Sequence, residues 1–346
     1  MKIALLTDTH IGVKNDSDVF NRYFLDYYKN EFFSYLEEHN IRDIIHLGDI
    51  FDRRKYVNFS TLDLWHREFF SELNNYNTHI IIGNHDVYYK DSNKINSPDL
   101  LLEKYDNISI HKSACELVFD DCKILFVPWI NDRNKEASLA RIESTDAKIL
   151  MGHLEIIGFE LMSGVTNDHG FDISVFSKFD NVYTGHFHKR SSRNNVHYLG
   201  STCKITWADY GNDNGFHIFD TDKRCTEFIE NKTSIFQKIF YQEDYKEIPK
   251  VQGKYVKLVV KNKAAVQAYL FEKYIESLNE QNPAELVVIE EDNNLTESNQ
   301  IVDETKDTFT ILQDYVNMSQ IDCDKDTLNK LFLDLYQEAE QYDSDG

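Results

Sequence analysis

The chain has 346 residues, of which 41% are hydrophobic and 13% aromatic, the make-up of a folded globular protein with room for one large core and a smaller domain. With only 13 glycines and 4 prolines, a low-complexity or loop-dominated architecture is excluded, and a net charge of −22 excludes a protein that coats nucleic acid through a basic surface. The acidity is uneven: from Glu290 onward sixteen Asp or Glu face three Lys. Five scattered cysteines (Cys115, Cys122, Cys203, Cys225 and Cys323) include no C-x-x-C pair and read as reduced structural thiols. The first apolar run is too short for a signal-peptide core and none reaches membrane-spanning length, so a soluble, cytoplasmic protein with no membrane association is expected.

Residues 3–7 form a short apolar run of the kind buried on both faces of a sheet, ending in Asp8-Thr9-His10. An amphipathic helix is predicted over 19–39, its stripe of Phe20, Tyr23, Phe24, Tyr27, Tyr28, Phe32 and Leu36 reading as core. A strand over 43–47 runs into Leu47-Gly48-Asp49-Ile50-Phe51-Asp52-Arg53; a helix follows over 59–75, then a strand over 78–82 ending in Gly83-Asn84-His85-Asp86. Ser97-Pro98 opens a short helix, and the runs on either side of Asp120-Asp121 read as a hairpin ending at Pro128-Trp129. Further strands at 147–151 and 181–184 end in Gly152-His153 and Gly185-His186-Phe187-His188, and strands at 196–199, 215–219 and 226–229 complete this region. Strand alternating with helix predicts an α/β fold.

After about residue 231 the pattern restarts as a strand (255–260), a helix (264–278) and a strand (284–290), a small α+β unit. An acidic linker is read at 292–303, followed by helices at 308–317 and 325–341. The apolar stripe of the last one (Leu328, Leu331, Phe332, Leu335, Tyr336) suits either the core of the small domain or a docking face. The resulting division is 1–232, 233–303 and 304–346.

Five strands thus end in metal-ligand residue types: Asp8 and His10, Asp49, Asn84 with His85, His153, and His186 with His188. Singly, each has an ordinary structural reading as a cap, a turn or a satisfied core histidine. Together, the mixture of carboxylate, imidazole and amide oxygen suits manganese, iron or zinc and is too rich in nitrogen for calcium. Asp49, with two oxygens, is the candidate to bridge two cations.

In this order D-x-H, G-D-x-x-D-R, G-N-H-D, G-H and G-H-x-H resemble the motifs of the calcineurin-like metallophosphoesterases. With Val127-Pro128-Trp129 and Tyr198-Leu199-Gly200-Ser201, the chain is similar to the SbcD branch, nuclease subunits of double-strand-break repair complexes. That resemblance covers about residues 1–230 and implies a four-layer αββα sandwich with a small α+β capping domain and C-terminal helices. It implies two divalent ions, manganese being the expected metal: Asp8, His10, Asp49 and His188 would hold one, and Asp49, Asn84, His153 and His186 the other. His85 would give a proton to the leaving oxygen, with Asp52 a candidate to orient it and Arg53 a candidate to bind phosphate. Some family nucleases carry a second histidine where this chain has Asp52. The implied partners are DNA, an SbcC-like ABC-type ATPase and a second copy of the chain. Basic residues beyond the motifs (Arg54, Lys55, Lys90, Lys189 and Arg190) suit a polyanion track, or simply solvated loops. Two rivals share the ground: a phosphatase or nucleotide phosphodiesterase with the same motifs, and a scaffold that kept the fold without the chemistry.

Overall fold

The computed structural model describes residues 1–162, 165–245, 247–261 and 267–291, with scattered positions at 316, 324–325, 327–332 and 335. Its larger unit, Met1–Ile205 with Gly211–Thr233, is built on two six-stranded sheets. In the first, strands β1 (Lys2–Leu6), β2 (Asp43–His46), β3 (Asn77–Ile81) and β6 (Ile108–His111) run parallel, and β15 (Gly215–Asp220) and β16 (Cys225–Glu230) add an antiparallel edge beside β1. In the second, β8 (Cys122–Val127), β9 (Ile149–His153), β12 (Asn181–Gly185) and β14 (Val196–Tyr198) are parallel, flanked antiparallel by β7 (Cys115–Phe119) and β13 (Ser191–Arg193).

The inner faces of the two sheets meet in one apolar core, in which Ile3, Ile45 and Ile81 of the first join Phe126, Met151 and Tyr183 of the second. The central parallel strands are largely apolar on both faces, because their outer faces are covered too. Over the first sheet lie two helices. One, α1, runs through Asp18–Tyr27, a π turn at Tyr28–Phe32, and Phe33–Glu38. The other, α2, is Phe59–Trp65 continued by a π turn at His66–Phe70. Phe32 and Tyr35 pack edge-on against Phe216 of β15, while Phe69, Phe70 and Leu73 face Leu6, Ile44 and Ile80. Over the second sheet, Ile142 of α4 (Lys135–Ser144) and Phe176 join Leu125, Leu150 and Val182. The layers are therefore helix, sheet, sheet, helix, the four-layer αββα arrangement. The π turns, which the sequence periodicity does not foretell, widen the helix locally so that the neighbours Tyr27 and Tyr28, and Phe32 and Phe33, are all buried.

A hairpin of β4 (Val87–Tyr89) and β5 (Ser92–Asn96) follows β3, and a short helix, α3 (Ser97–Leu102), carries proline in its first turn under an Asn96 cap. The second unit, Thr206–Tyr210 with Ser234–Ser344, contains three parallel strands, β17 (Phe236–Phe240), β18 (Tyr255–Lys261) and β19 (Glu285–Glu291). Phe271, Tyr274 and Leu278 of α5 (Ala268–Asn279) pack on Val256, Leu258 and Val260. The predicted linker at 292–303 and helices at 308–317 and 325–341 lie outside the described residues except at the scattered positions. No helix among the described residues is long and apolar enough to cross a membrane.

Candidate metal centre

Every candidate ligand sits at or just beyond the C-terminal end of a parallel strand, where an α/β sheet presents its loops. Asp8 and His10 follow β1, Asp49 follows β2, Asn84 follows β3, His153 ends β9, and His186 and His188 follow β12. The loops after β1 and β2 run side by side: Asp8 N–H donates to the Gly48 carbonyl at 3.0 Å, and His10 N–H to that of Asp49 at 3.1 Å. Four of these residues hold left-handed backbone: Asp8 (φ 53°), His10 (φ 48°), Asp49 (φ 58°) and His186 (φ 94°). Non-glycine residues adopt it at a cost, and such strain concentrates where side chains must be aimed. Gly48 (φ 101°) has no such alternative, since a Cβ there would come 2.5 Å from His153 Nδ1.

The sequence-predicted ligands converge. The His10 and His188 Nε2 atoms are 3.1 Å apart, and His10 Nε2 lies 3.9 Å from Asp8 and 4.0 Å from Asp49. His153 Nε2 lies 3.2 Å from Asp49 Oδ2 and 2.9 Å from Asn84 Oδ1, which is also 3.0 Å from His186 Nδ1. Asp8, His10 and His188 form one group able to hold a cation, and Asp49, His153 and His186 another. His153 donates its Nδ1–H to the Leu47 carbonyl at 2.7 Å, which turns the Nε2 lone pair toward two oxygen acceptors. Such crowding of acceptors requires a cation among them. In the metal-free chain a proton fills that need: burial pushes His153 and His10 down, but the surrounding carboxylates outweigh it and raise both to about 9. Burial likewise opposes ionisation of Asp49, yet the histidines around it hold its pKa well below the usual carboxylate value. The donor set fits two divalent ions.

Asp52 divides its groups. Its carboxylate lies 3.4 Å from His10 Nδ1, and its backbone carbonyl 2.6 Å from His85 Nδ1. The sequence reading has Asp52 orienting His85; the main chain does so, while the side chain faces a candidate ligand. His85 is also tied to the centre by its own N–H, which donates to Asp49 Oδ1 at 2.8 Å. Burial pushes its imidazole below its ordinary pKa.

Arg53 calls for a correction. It is 5% exposed, pairs with Asp16, donates to Tyr56 Oη at 3.0 Å and Asn15 Oδ1 at 3.2 Å, and stacks on the Tyr56 ring at 4.4 Å. Instead of facing a phosphate, it clasps a turn in which Lys14, Asn15 and Asp16 are all left-handed. Its partner is invisible in the sequence because Asp16 lies 37 positions away. Of the residues read as a DNA track, Lys55 and Lys90 are exposed and Arg54 is buried. Lys189 pairs with Glu160, and Arg190 with Asp213 at 3.0 Å, over the Phe228 ring at 4.2 Å.

Two buried residues escaped the sequence reading. Asp86 accepts from the N–H groups of Asp49 (2.9 Å), Ile50 (3.0 Å), Phe51 (3.3 Å) and Gly83 (2.9 Å), binding the loops after β2 and β3 into one piece. Burial and the adjacent Asp49 charge push it up to about 6, against the pull of those donors. His46 accepts from Gly48 N–H at 3.2 Å, leaving its other nitrogen to donate to Thr9 Oγ1 at 2.7 Å, between Asp8 and His10. Burial pushes it down to about 3, so it is neutral. The position of Asp86 as the last letter of G-N-H-D was the available signal; three of its four donors come from chain folded far from it.

This geometry defines the class of protein. Residues 1–190 match the calcineurin-like phosphoesterase family, and the chain belongs to that family as a metal-dependent phosphoesterase. Over 349 aligned positions it is 31% identical to Exonuclease subunit 1 of Enterobacteria phage T4, spanning 99% of this chain and 100% of that protein. The resemblance of its motifs to a T-even bacteriophage recombination endonuclease small subunit agrees with this. Two solved structures are more distant. One, a novel archaeal phosphodiesterase, is 17% identical over 67% of this chain and 100% of its own, with a TM-score of 0.32. The other, a protein of unknown function from Aquifex aeolicus, is 14% identical over 56% and 82%, with a TM-score of 0.27.

Proposed function

We propose that this chain is a two-metal DNA nuclease, the cutting subunit of a recombination and double-strand-break repair complex in the host cytoplasm. The observation that carries the reading is the full-length likeness to a phage exonuclease subunit, joined to a ligand set with every position filled. Asp8, His10, Asp49 and His188 would hold one ion, and Asp49, Asn84, His153 and His186 the other, manganese being the metal proposed. Bound there, two divalent ions polarise a phosphoryl oxygen and supply hydroxide at neutral pH.

The chain's own side chains do the rest. Asp52 and the Leu47 carbonyl fix which nitrogen His10 and His153 turn inward, as outer partners of ligating histidines do. His85, its Nδ1–H committed to the Asp52 carbonyl, exchanges the leaving-group proton at Nε2. Asp86 and His46 hold the ligand loops in register. Lys55, Lys90 and Arg190 are exposed cations proposed to meet the substrate's flanking phosphates, with Arg54 and Lys189 beside them.

As partners we propose an SbcC-like ABC-type ATPase and a second copy of this chain. The relative's name as a subunit supports a complex. Manganese-dependent cleavage should be measured on end-labelled duplex and hairpin DNA, a phosphopeptide and a cyclic nucleotide in parallel. Cleavage of DNA well above the others is expected; turnover of the phosphopeptide alone would overturn the assignment in favour of a phosphatase.

A further inference from the structure

One aromatic ring at the wall of the metal centre has no part in the ligand set. Trp129 follows β8, and its ring centroid lies 5.2 Å from that of His186 and 6.2 Å from that of His153. The side chain is only partly buried, so part of the ring faces outward from the wall of the site.

The backbone beneath the ring is pinned. Trp129 N–H donates to the Ile82 carbonyl at 2.8 Å, and its own carbonyl accepts from Asn93 Nδ2 and Asn134 Nδ2, both at 2.9 Å. Asn131 completes the web, giving Nδ2–H to Asn93 Oδ1 at 2.8 Å. Its N–H donates to Asn134 Oδ1, also at 2.8 Å. Asn93 and Asn131 are 7% and 8% exposed, and burying amides is costly unless they are bonded. Pro128 fixes the approach from β8. A buried amide network thus fixes the main chain of a segment that supplies no candidate ligand, and with it the point from which the indole projects.

We infer that Trp129 is the stacking platform for a base of the nucleotide whose phosphate lies at the metal centre. It is a specificity-determining residue that favours nucleotide diesters over other phosphodiesters. The inference rests on the proposed nuclease activity. A ring whose centroid lies 5.2 Å from that of His186 would be within a nucleoside's reach of a phosphate bound at the centre. Stacking accepts any base, because every base has a π face, and a ring carried on a fixed main chain has less freedom to lose on binding.

The test compares two diesters with one leaving group, the p-nitrophenyl esters of thymidine 5′-phosphate and of methyl phosphate, with manganese present. The ratio of their kcat/KM values should fall about fivefold to a hundredfold in Trp129→Ala and far less in Trp129→Phe. An unchanged ratio in Trp129→Ala overturns the inference. In chelator, binding of a labelled oligothymidylate and its abasic counterpart gives a second readout. Wild type should prefer the strand with bases and Trp129→Ala should not; equal preference in both also overturns it. Turnover of neither ester by wild type would sink the nuclease assignment, while the chelator measurement would still decide the role of Trp129.

Discussion

The Asp52 carboxylate stands 3.4 Å from His10 Nδ1, on the side of the imidazole away from Asp8 and Asp49. A carboxylate in that place fixes the tautomer and strengthens the inward nitrogen as a ligand. Asp52→Asn should therefore weaken binding of one manganese ion about tenfold to a hundredfold in calorimetric titration. Saturating metal should restore most of the turnover, because the carbonyl that holds His85 belongs to the backbone. If turnover stayed low with both ions bound, the side chain would be acting on chemistry instead.

His85→Ala should keep both ions and lose about 10²- to 10⁴-fold in DNA cleavage. The loss should be much smaller on a p-nitrophenyl ester, whose leaving group needs no proton. Asp49→Ala should instead lose metal occupancy, read by elemental analysis after gel filtration. Intact metal content in that variant would refute the bridging assignment.

Arg53 and the partly buried Asp16 pair across a left-handed turn, so removing either partner should destabilise the fold by about 1–3 kcal/mol. Urea unfolding of Arg53→Ala, Asp16→Asn and the double variant should show less than additive losses. A phosphate contact would behave differently, leaving stability intact and raising KM alone.

Asp86→Ala strips four buried N–H donors of their acceptor. At about 1–3 kcal/mol for each buried group left unpaired, this should be among the most damaging single changes in the chain. A variant as stable as wild type in urea would show that the loops after β2 and β3 are held by something else.

The paired imidazoles of His79 and His111, 3.0 Å apart between β3 and β6, give the fold a pH dependence remote from the metal centre. Burial pushes His79 below its ordinary value and His111 down to about 4. A histidine whose folded pKa is depressed binds its proton more readily unfolded. Its contribution is therefore fully present above about pH 6.5 and is lost as the pH falls toward 4. Melting temperatures at pH 7.5 and 5 should differ more for wild type than for His111→Gln; equal differences would exclude the pair as the cause.

How much of this could be read from sequence follows from range. The candidate ligands were legible because each is a local signal, an apolar strand ending in Asp, Asn or His. The layers were legible because doubly buried strands alternate with amphipathic helices. What stayed hidden depends on contacts distant in sequence. Arg53 looked available because the turn holding Asp16 has no sequence signature, and Asp52 looked paired with His85 because nothing local separates a carboxylate's task from its own carbonyl's. The β4–β5 hairpin, rich in Tyr, Lys, Asp and Asn, shows no alternation to announce it. The π turns break the very periodicity by which helices are recognised.

The candidate ligands come from both sheets: Asp8 and Asp49 from the tips of the first, His153, His186 and His188 from those of the second. A cation among them is then a rivet through the sandwich, joining Asp8 to a loop 178 residues further along. Metal affinity in this chain reports on whether the two sheets are docked. Chelation should loosen the seam between them, seen as faster amide exchange along the Ile3–Met151 core, before it disturbs either sheet alone.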